Sequence, residues 1–363
     1  MGPPRHLALL PDDGKERIEW PVPFADGMPK LLSLKGRKTV VLASGDPFWF
    51  GAGSVIARTL PEDAWCALPG PSTFSLAAAQ LGWPLERTTC LGLHAAPVAR
   101  LRPHLGDGQR ALVLLRDGTA VSDLAGWLSE VGFGETTLHV FEALGGPNTR
   151  YRPQTAGTYD LTDVSHPVAV ALDMRGPMAL SRATGKSDDL FDHDGQITKQ
   201  PIRAITLAAL APKPGETLWD IGAGSGSVAL EWLMSDPTTQ AIAIEAREDR
   251  AARITANALR LGQDRLRVIQ GVAPEALSDL PRPNAVFIGG GMTRALLDRL
   301  GTTGPGTRLV ANAVTLETEA LLTDAQARLG GTLMKVALSE AQPLGQYNGW
   351  KAAYPVVQWS VTL

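Results

Sequence analysis

Cysteine is nearly missing from this chain: Cys66 and Cys90 are the only two among 363 residues. They stand too far apart for a CxxC pair and are too few for a disulfide scaffold, so a reducing, cytoplasmic compartment is expected. Histidine is scarce as well. The six histidines (6, 94, 104, 139, 166 and 193) fall in no HxxH or HExxH pattern, so no protein-held metal is expected. Neither sign of charge is in excess, with 34 Lys and Arg against 37 Asp and Glu, which argues against nucleic-acid binding by bulk charge. Residues 1–20 lack the apolar core of a secretory leader, and no apolar run is long enough to span a bilayer. Secretion and membrane insertion are therefore not expected.

Glycine (38) and proline (27) are plentiful and spread along the chain, as many short connections require. Apolar runs recur at Thr39–Ala43, Ala111–Leu115, Thr137–Phe141 and Val168–Leu172, with helical stretches such as Ser72–Leu81 and Ser122–Val131 between them. Continuous apolar strands alternating with helices predict an α/β half built on a parallel sheet. The polar segment Met174–Gly195 carries no period and predicts a linker, with domains over 1–185 and 193–363. Beyond it the pattern predicts helices at Pro201–Leu210, from Ser227 and at Arg250–Leu261. Strands are predicted at Thr217–Ile221, Ala241–Glu245, Leu266–Ile269, Ala285–Ile288 and Arg308–Ala311. Thr332–Ser339 and Pro355–Leu363 predict an antiparallel pair ending a parallel sheet.

The strongest signal is Leu218–Gly226, LWDIGAGSG. A strand ends there, and Gly222, Gly224 and Gly226 open a helix, letting backbone N–H groups approach a ligand. Nineteen residues after Gly226 the next strand ends in Glu245, placed to accept from two ribose hydroxyls. The spacing is GxGxG rather than the GxGxxG of dinucleotide sites, and Asp220 would repel a pyrophosphate. A ligand with a positive centre and no phosphate fits better, namely S-adenosylmethionine. A purely structural glycine turn is the competing reading; the acid, the helix order and the terminal antiparallel pair weigh against it. At Asn284–Met292 (NAVFIGGGM) the glycines offer space and no ring on which a flipped base would stack, which disfavours a nucleic-acid substrate.

This half resembles the class I S-adenosylmethionine methyltransferases. With DGQITKQPIRAITLAALAPKPGETLWDIGAGSGSVALEW, FIGGG, NAVTLET and PVVQW, residues 193–363 resemble the decarboxylating precorrin-6Y methyltransferases of cobalamin biosynthesis. The resemblance implies a Rossmann-like fold in which Thr198, Gly222, Ala223, Gly224, Ser225, Gly226, Glu245 and Ala273 hold the cofactor. In the first half, LASGDPFWFGAG (42–53), PGPSTF (69–74), LLRDG and FEALGG resemble the two-lobed α/β tetrapyrrole methylases. There Gly45, Asp46, Ser72 and Thr73 match the loops that face S-adenosylmethionine. The family pattern opens with a strand and a GxGPG-type loop ahead of the counterpart of Arg5–Leu10, so that strand and loop are expected to be lacking here.

The resemblance further implies methylation of precorrin-6Y at carbons 5 and 15, with loss of the ring C acetate carboxylate, giving precorrin-8X. The protein's task is then to align a sulfonium methyl with an electron-rich ring carbon, which needs no nucleophilic side chain. No catalytic residue is assigned. Lys199 and Arg203, at i and i+4, are candidates for gripping substrate carboxylates. Tyr347 is a candidate for overlying the substrate, and His193 and Asp194 for proton transfer. Trp219, Trp232, Trp350 and Trp359 read as packing residues. Two rival functions stand beside this one: a first half serving only as a binding module, and an RNA or protein methyltransferase. Relatives of the second domain imply a homo-oligomer, a tetramer assembled through that domain.

Overall fold

The computed structural model describes residues 1–363, which form two compact units. The first comprises Met1–Ala96 and Gly106–Pro177, the second Pro97–Leu105 and Met178–Leu363. No helix is long and apolar enough to cross a membrane.

The first unit contains α1 (Pro4–Leu7), α2 (Gly27–Leu32), α3 (Gly53–Thr59), α4 (Thr73–Leu81) and α5 (Gly118–Glu130). Its strands are β1 (Thr89–Gly92), β2 (Arg110–Leu115), β3 (Thr137–Glu142), β4 (Arg150–Thr155) and β5 (Val168–Asp173), in the order β1-β2-β5-β3-β4. The expected parallel sheet is corrected here: only β1 and β2 run parallel, and the other three pairings are antiparallel. The crossover β2–α5–β3 leaves a gap that β5 fills from the opposite direction. Val168–Leu172 is buried throughout because β5 lies at the centre of the sheet. Unbroken apolarity thus reported burial on both faces, and strand direction did not follow from it. The expected strand Thr39–Ala43 also lies outside the sheet. Its backbone instead pairs with the first residue, the Met1 ammonium donating to Val40 O (2.7 Å) and Leu42 N–H to Met1 O (2.9 Å).

The second unit carries α6 (Gln200–Leu210), α7 (Ser227–Ser235), α8 (Glu248–Arg260), α9 (Arg294–Leu300) and α10 (Leu316–Leu329). Its seven-stranded sheet follows the order β11-β14-β10-β9-β6-β7-β8. These are β6 (Thr217–Ile221), β7 (Gln240–Glu245), β8 (Arg267–Gln270), β9 (Ala285–Ile288), β10 (Arg308–Ala313), β11 (Thr332–Val336) and β14 (Val356–Thr362). All neighbours are parallel except β14, which is antiparallel to both β10 and β11. Alternation along the strands builds a core on each face. Leu218, Ala243 and Phe287 pack with Trp232 and Ile254, while Trp219, Ile221, Ile242, Ile244 and Val286 pack with Leu296 and Trp359. The connection between β11 and β14 is itself a hairpin, β12 (Ser339–Leu344) and β13 (Tyr347–Ala352). Trp219, Trp232 and Trp359 are buried, but Trp350 lies on this hairpin and is 79% exposed, so packing is the wrong assignment for it.

The segment Pro97–Leu105 joins the second unit by seating on α8. Arg100 makes a bidentate pair with Asp264 (2.8 Å for each N–H), and Gly262, at φ +68°, approaches so closely that a Cβ would lie 2.2 Å from Ala99 O. The expected linker is likewise more than a solvated loop. Gly185 N–H and Lys186 N–H donate to the buried Glu231 carboxylate at 2.7 and 2.9 Å. Arg203 completes that charge cluster. It is fully buried, donates from Nε to Glu231 at 2.6 Å and from Nη1 to Asp188 at 3.0 Å, and also reaches the Thr198 and Lys186 carbonyls. Replacing Arg203 with methionine leaves Glu231 buried without its cation, an expected loss of about 3–5 kcal/mol of stability. Urea unfolding measures it, and a loss below about 1 kcal/mol contradicts this account.

Candidate functional sites

The sheet order of the second unit reverses at β6, which has β9 on one side and β7 on the other, and loops at such a switch point open a crevice. The glycine turn leaves β6 there. Gly222 takes φ +67°, and a Cβ on it would lie 2.7–3.0 Å from backbone atoms of Gly290, in the loop after β9. Gly226, at φ +76°, faces Ile254 of α8, 2.8 Å from where its Cβ would be. Each position therefore needs glycine for both its dihedral and its neighbours. The Ala223 and Gly222 N–H groups donate to Ile244 O, which seats the turn on the end of β7.

Glu245 closes the turn. Its two carboxylate oxygens accept from Gly224 N–H (2.9 Å) and Arg247 N–H (3.0 Å), fixing the side chain while leaving each oxygen a free lone pair. Two buried polar atoms around the same turn have no partner: Asp220 Oδ1 and Ser225 Oγ. Asp220 Oδ2 accepts from Ala229 N–H at 3.0 Å. Burial pushes the Asp220 carboxyl up to about 7, the Ala229 bond opposes that, and the Glu245 charge adds to it. A fixed acid, an unpartnered acid and an unpartnered hydroxyl around one glycine turn fit a cationic nucleoside.

Thr198 is half-buried, just before α6, with its carbonyl bound by Arg203. The lead-in loop passes over the turn, since a Cβ on Gly224 would meet Gln196 O at 3.3 Å. Ala273 is half-buried in the loop after β8 and packs on the core of that face. The expectation for Arg203 is corrected: a guanidinium with no exposed surface, holding Glu231 and Asp188, has nothing left for a substrate carboxylate. Lys199 is exposed and lies 3.7 Å from Asp188. His193 Nδ1 accepts from Gly195 N–H (3.0 Å), and Asp194 accepts from Arg250 Nε (2.8 Å) and Gln196 N–H (3.1 Å), so both shape the loop. Arg250 holds the Asp194 carboxyl down to about 2. Tyr347 belongs to the separate β12–β13 sheet and is 80% exposed.

Asn257 is a residue that sequence reasoning missed. Buried on α8, it donates to Asp192 O (2.9 Å) and Ser225 O (3.1 Å) and accepts from Asp192 N–H (2.9 Å), tying the lead-in loop to the glycine turn. An asparagine among the apolar positions of an amphipathic helix was the available signal.

In the first unit, Asp46, Ser72 and Thr73 line one cavity of about 520 Å³, and Gly45 adjoins it with a virtual Cβ 3.2 Å from Ser72 Cα. Ser72 caps α4, accepting from Ser75 N–H at 3.0 Å, and Asp46 Oδ1 accepts from Phe48 N–H at 2.8 Å. The walls are aromatic, from Trp20, Phe24, Trp49, Phe50 and Phe74. Phe50 takes φ +56°, strained for a non-glycine, and this sets its ring edge-on to Phe74 at 5.9 Å.

Asp220 gives a pH-dependent prediction. Its carboxyl titrates higher in the fold than in the unfolded chain, so its contribution to stability is whole below about 4 and is lost as pH rises through about 7. Asp220→Asn removes that dependence. Its melting temperature relative to wild type is expected to rise between pH 5 and pH 8, by a linkage on the order of 3 kcal/mol. A difference that stays constant with pH contradicts the assignment.

Comparison with known proteins gives the same division of labour. Residues 27–160 match the family model described as Tetrapyrrole (Corrin/Porphyrin) Methylases, and residues 189–363 match the Precorrin methyltransferase domain. The precorrin-6Y C(5,15)-methyltransferase [decarboxylating] of a Sinorhizobium species is 47% identical, over 99% of this chain and 88% of that protein. The protein of that name from Mycobacterium tuberculosis H37Rv is 42% identical, over 99% and 92%. The cobalt-precorrin-6B C(15)-methyltransferase (decarboxylating) of Salmonella typhimurium LT2 is 31% identical, over 47% of this chain and 91% of that one. A tetrapyrrole methylase unit joined to a glycine-turn methyltransferase unit, with near full-length identity of this order, means that the chain belongs to the family of decarboxylating precorrin-6Y C(5,15)-methyltransferases.

Proposed function

We propose that the chain adds methyl groups to precorrin-6Y at carbons 5 and 15 and removes the ring C acetate carboxylate, giving precorrin-8X. The first unit acts at carbon 5, and the second acts at carbon 15 and decarboxylates. The observation that carries this reading is the glycine cradle of the second unit, where Asp220 and Ser225 keep buried polar atoms unpartnered beside a fixed Glu245. When bound, S-adenosylmethionine supplies an electrophilic methyl on a sulfonium. Glu245 would hold the ribose hydroxyls with its free lone pairs, and Asp220 would face the positive charge. Gly222, Gly224 and Gly226 let the backbone approach, while Thr198 and Ala273 flank the site. In the first unit Gly45, Asp46, Ser72 and Thr73 serve the same ligand. The remaining work of the chain is to orient a planar, carboxylate-rich ring and to exclude water, which the aromatic cavity of the first unit suits.

Assembly through the second unit is part of the proposal. The β12–β13 hairpin and its exit expose Leu344, Tyr347, Trp350 and Tyr354 at 69–87%, large apolar side chains on a projecting arm that a second copy would cover. Sedimentation of the full chain is expected to show a homo-oligomer, and Trp350→Glu to shift it towards monomer. A wild-type monomer at micromolar concentration refutes this part.

A mass spectrum of precorrin-6Y incubated with the chain and S-adenosylmethionine tests the whole. Two added methyls and one lost carbon dioxide support both assignments. One methyl with carbon dioxide lost restricts activity to the second unit, and unchanged substrate overturns the proposal. Glu245→Gln and Gly222→Ala are each expected to weaken S-adenosylhomocysteine binding at one of two sites by at least about tenfold, read by calorimetry.

A further inference from the structure

Arg5 stands at the mouth of the aromatic cavity of the first unit and lines it together with His6, Ser44 and Asp46. Its guanidinium has three side-chain partners, and none carries a negative charge. Nη1 lies 3.1 Å from His166 Nε2, Nη2 donates to Ser44 Oγ at 3.3 Å, and Nε donates to His6 Nε2 at 3.4 Å. Ser44 Oγ in turn lies 3.0 Å from His6 Nε2. With Nε2 receiving these donors, the ring proton of His6 sits on Nδ1, which is buried and faces the Leu42 backbone. Burial and the neighbouring Arg5 charge lower the basicity of His6, so its ring is neutral at pH 7. Asp46, the one carboxylate on the cavity wall, is turned to the Phe48 N–H.

The arrangement fixes a cation in place without neutralising it. A guanidinium held in place with no carboxylate against it keeps its full charge and a defined direction, which is the requirement for docking a carboxylate. The neighbouring walls are apolar and aromatic, so the ligand carrying that carboxylate has a flat or hydrophobic body. We propose that Arg5, braced by His6, Ser44 and His166, is the carboxylate-docking residue of the first unit. It would receive an acetate or propionate of the tetrapyrrole or, as the second source of the same chemistry, the carboxylate of the methionyl cofactor. The inference rests on the function proposed above and replaces, in the other unit, the grip that Arg203 does not provide.

Two titrations on the full chain separate the sources. Uroporphyrin binding is followed by quenching of tryptophan fluorescence, since Trp20 and Trp49 line the cavity. S-adenosylhomocysteine binding is followed by calorimetry. Arg5→Gln is expected to weaken uroporphyrin binding by about ten- to a hundredfold, with Arg5→Lys intermediate and S-adenosylhomocysteine affinity unchanged. It should also raise KM for methylation at carbon 5 while leaving carbon 15 methylation and decarboxylation as in wild type. Loss of S-adenosylhomocysteine affinity at one site, with uroporphyrin binding intact, assigns the carboxylate to the cofactor. If neither titration moves, the docking role of Arg5 is wrong. A wild-type chain that adds no methyl to precorrin-6Y overturns the proposed function, and the two titrations still decide Arg5.

Discussion

The second unit depends on one buried charge pair. Arg203 and Glu231 are both shut away from water, and each collects further partners from the segment that enters the unit: Asp188 and the Lys186 and Thr198 carbonyls on one side, the Gly185 and Lys186 N–H groups on the other. Removing two ions from water is costly, and only this degree of mutual satisfaction offsets it. The consequence is geometric. Residues 185–198 have no regular structure beyond one 3-10 turn at Asp188–Leu190, yet they are held against α6 and α7, and so the lead-in to the glycine turn has a fixed course.

A second tier of contacts carries that order to the turn. Asn257 joins Asp192 to Ser225, Asp194 is pinned by Arg250, and Glu245 is locked by two backbone N–H groups. The lead-in loop and the Glu245 carboxylate are thus set before any ligand arrives, which spares the entropy of ordering them on binding. The first unit builds its cavity differently. Aromatic rings form much of its walls, and the capped N-terminus of α4 brings Ser72, Thr73 and Phe74 to it.

What was legible in the sequence followed local rules. The glycine spacing, the acid after it and the alternating apolar strands of the second unit gave elements within a few residues of those observed, because periodicity and turn chemistry act locally. What was missed depended on partners distant in sequence. Val168–Leu172 reads the same whether its neighbours run parallel or antiparallel. Arg203 at i+4 from Lys199 suggested a shared exposed face, but Glu231, 28 residues on, draws it inward. Trp350 looks like any core tryptophan until the hairpin that carries it is seen to stand clear of the sheet. Membership of the family was carried by motifs, and the roles of single charged residues were not.

The protonated state of Asp220 has a thermodynamic consequence. With its carboxyl near 7, the site exchanges a fraction of a proton with solvent at neutral pH. A cation settling beside it favours the carboxylate and expels that fraction, so the observed heat of binding includes ionisation of the buffer. A cation held there would therefore couple occupancy of the crevice to proton release.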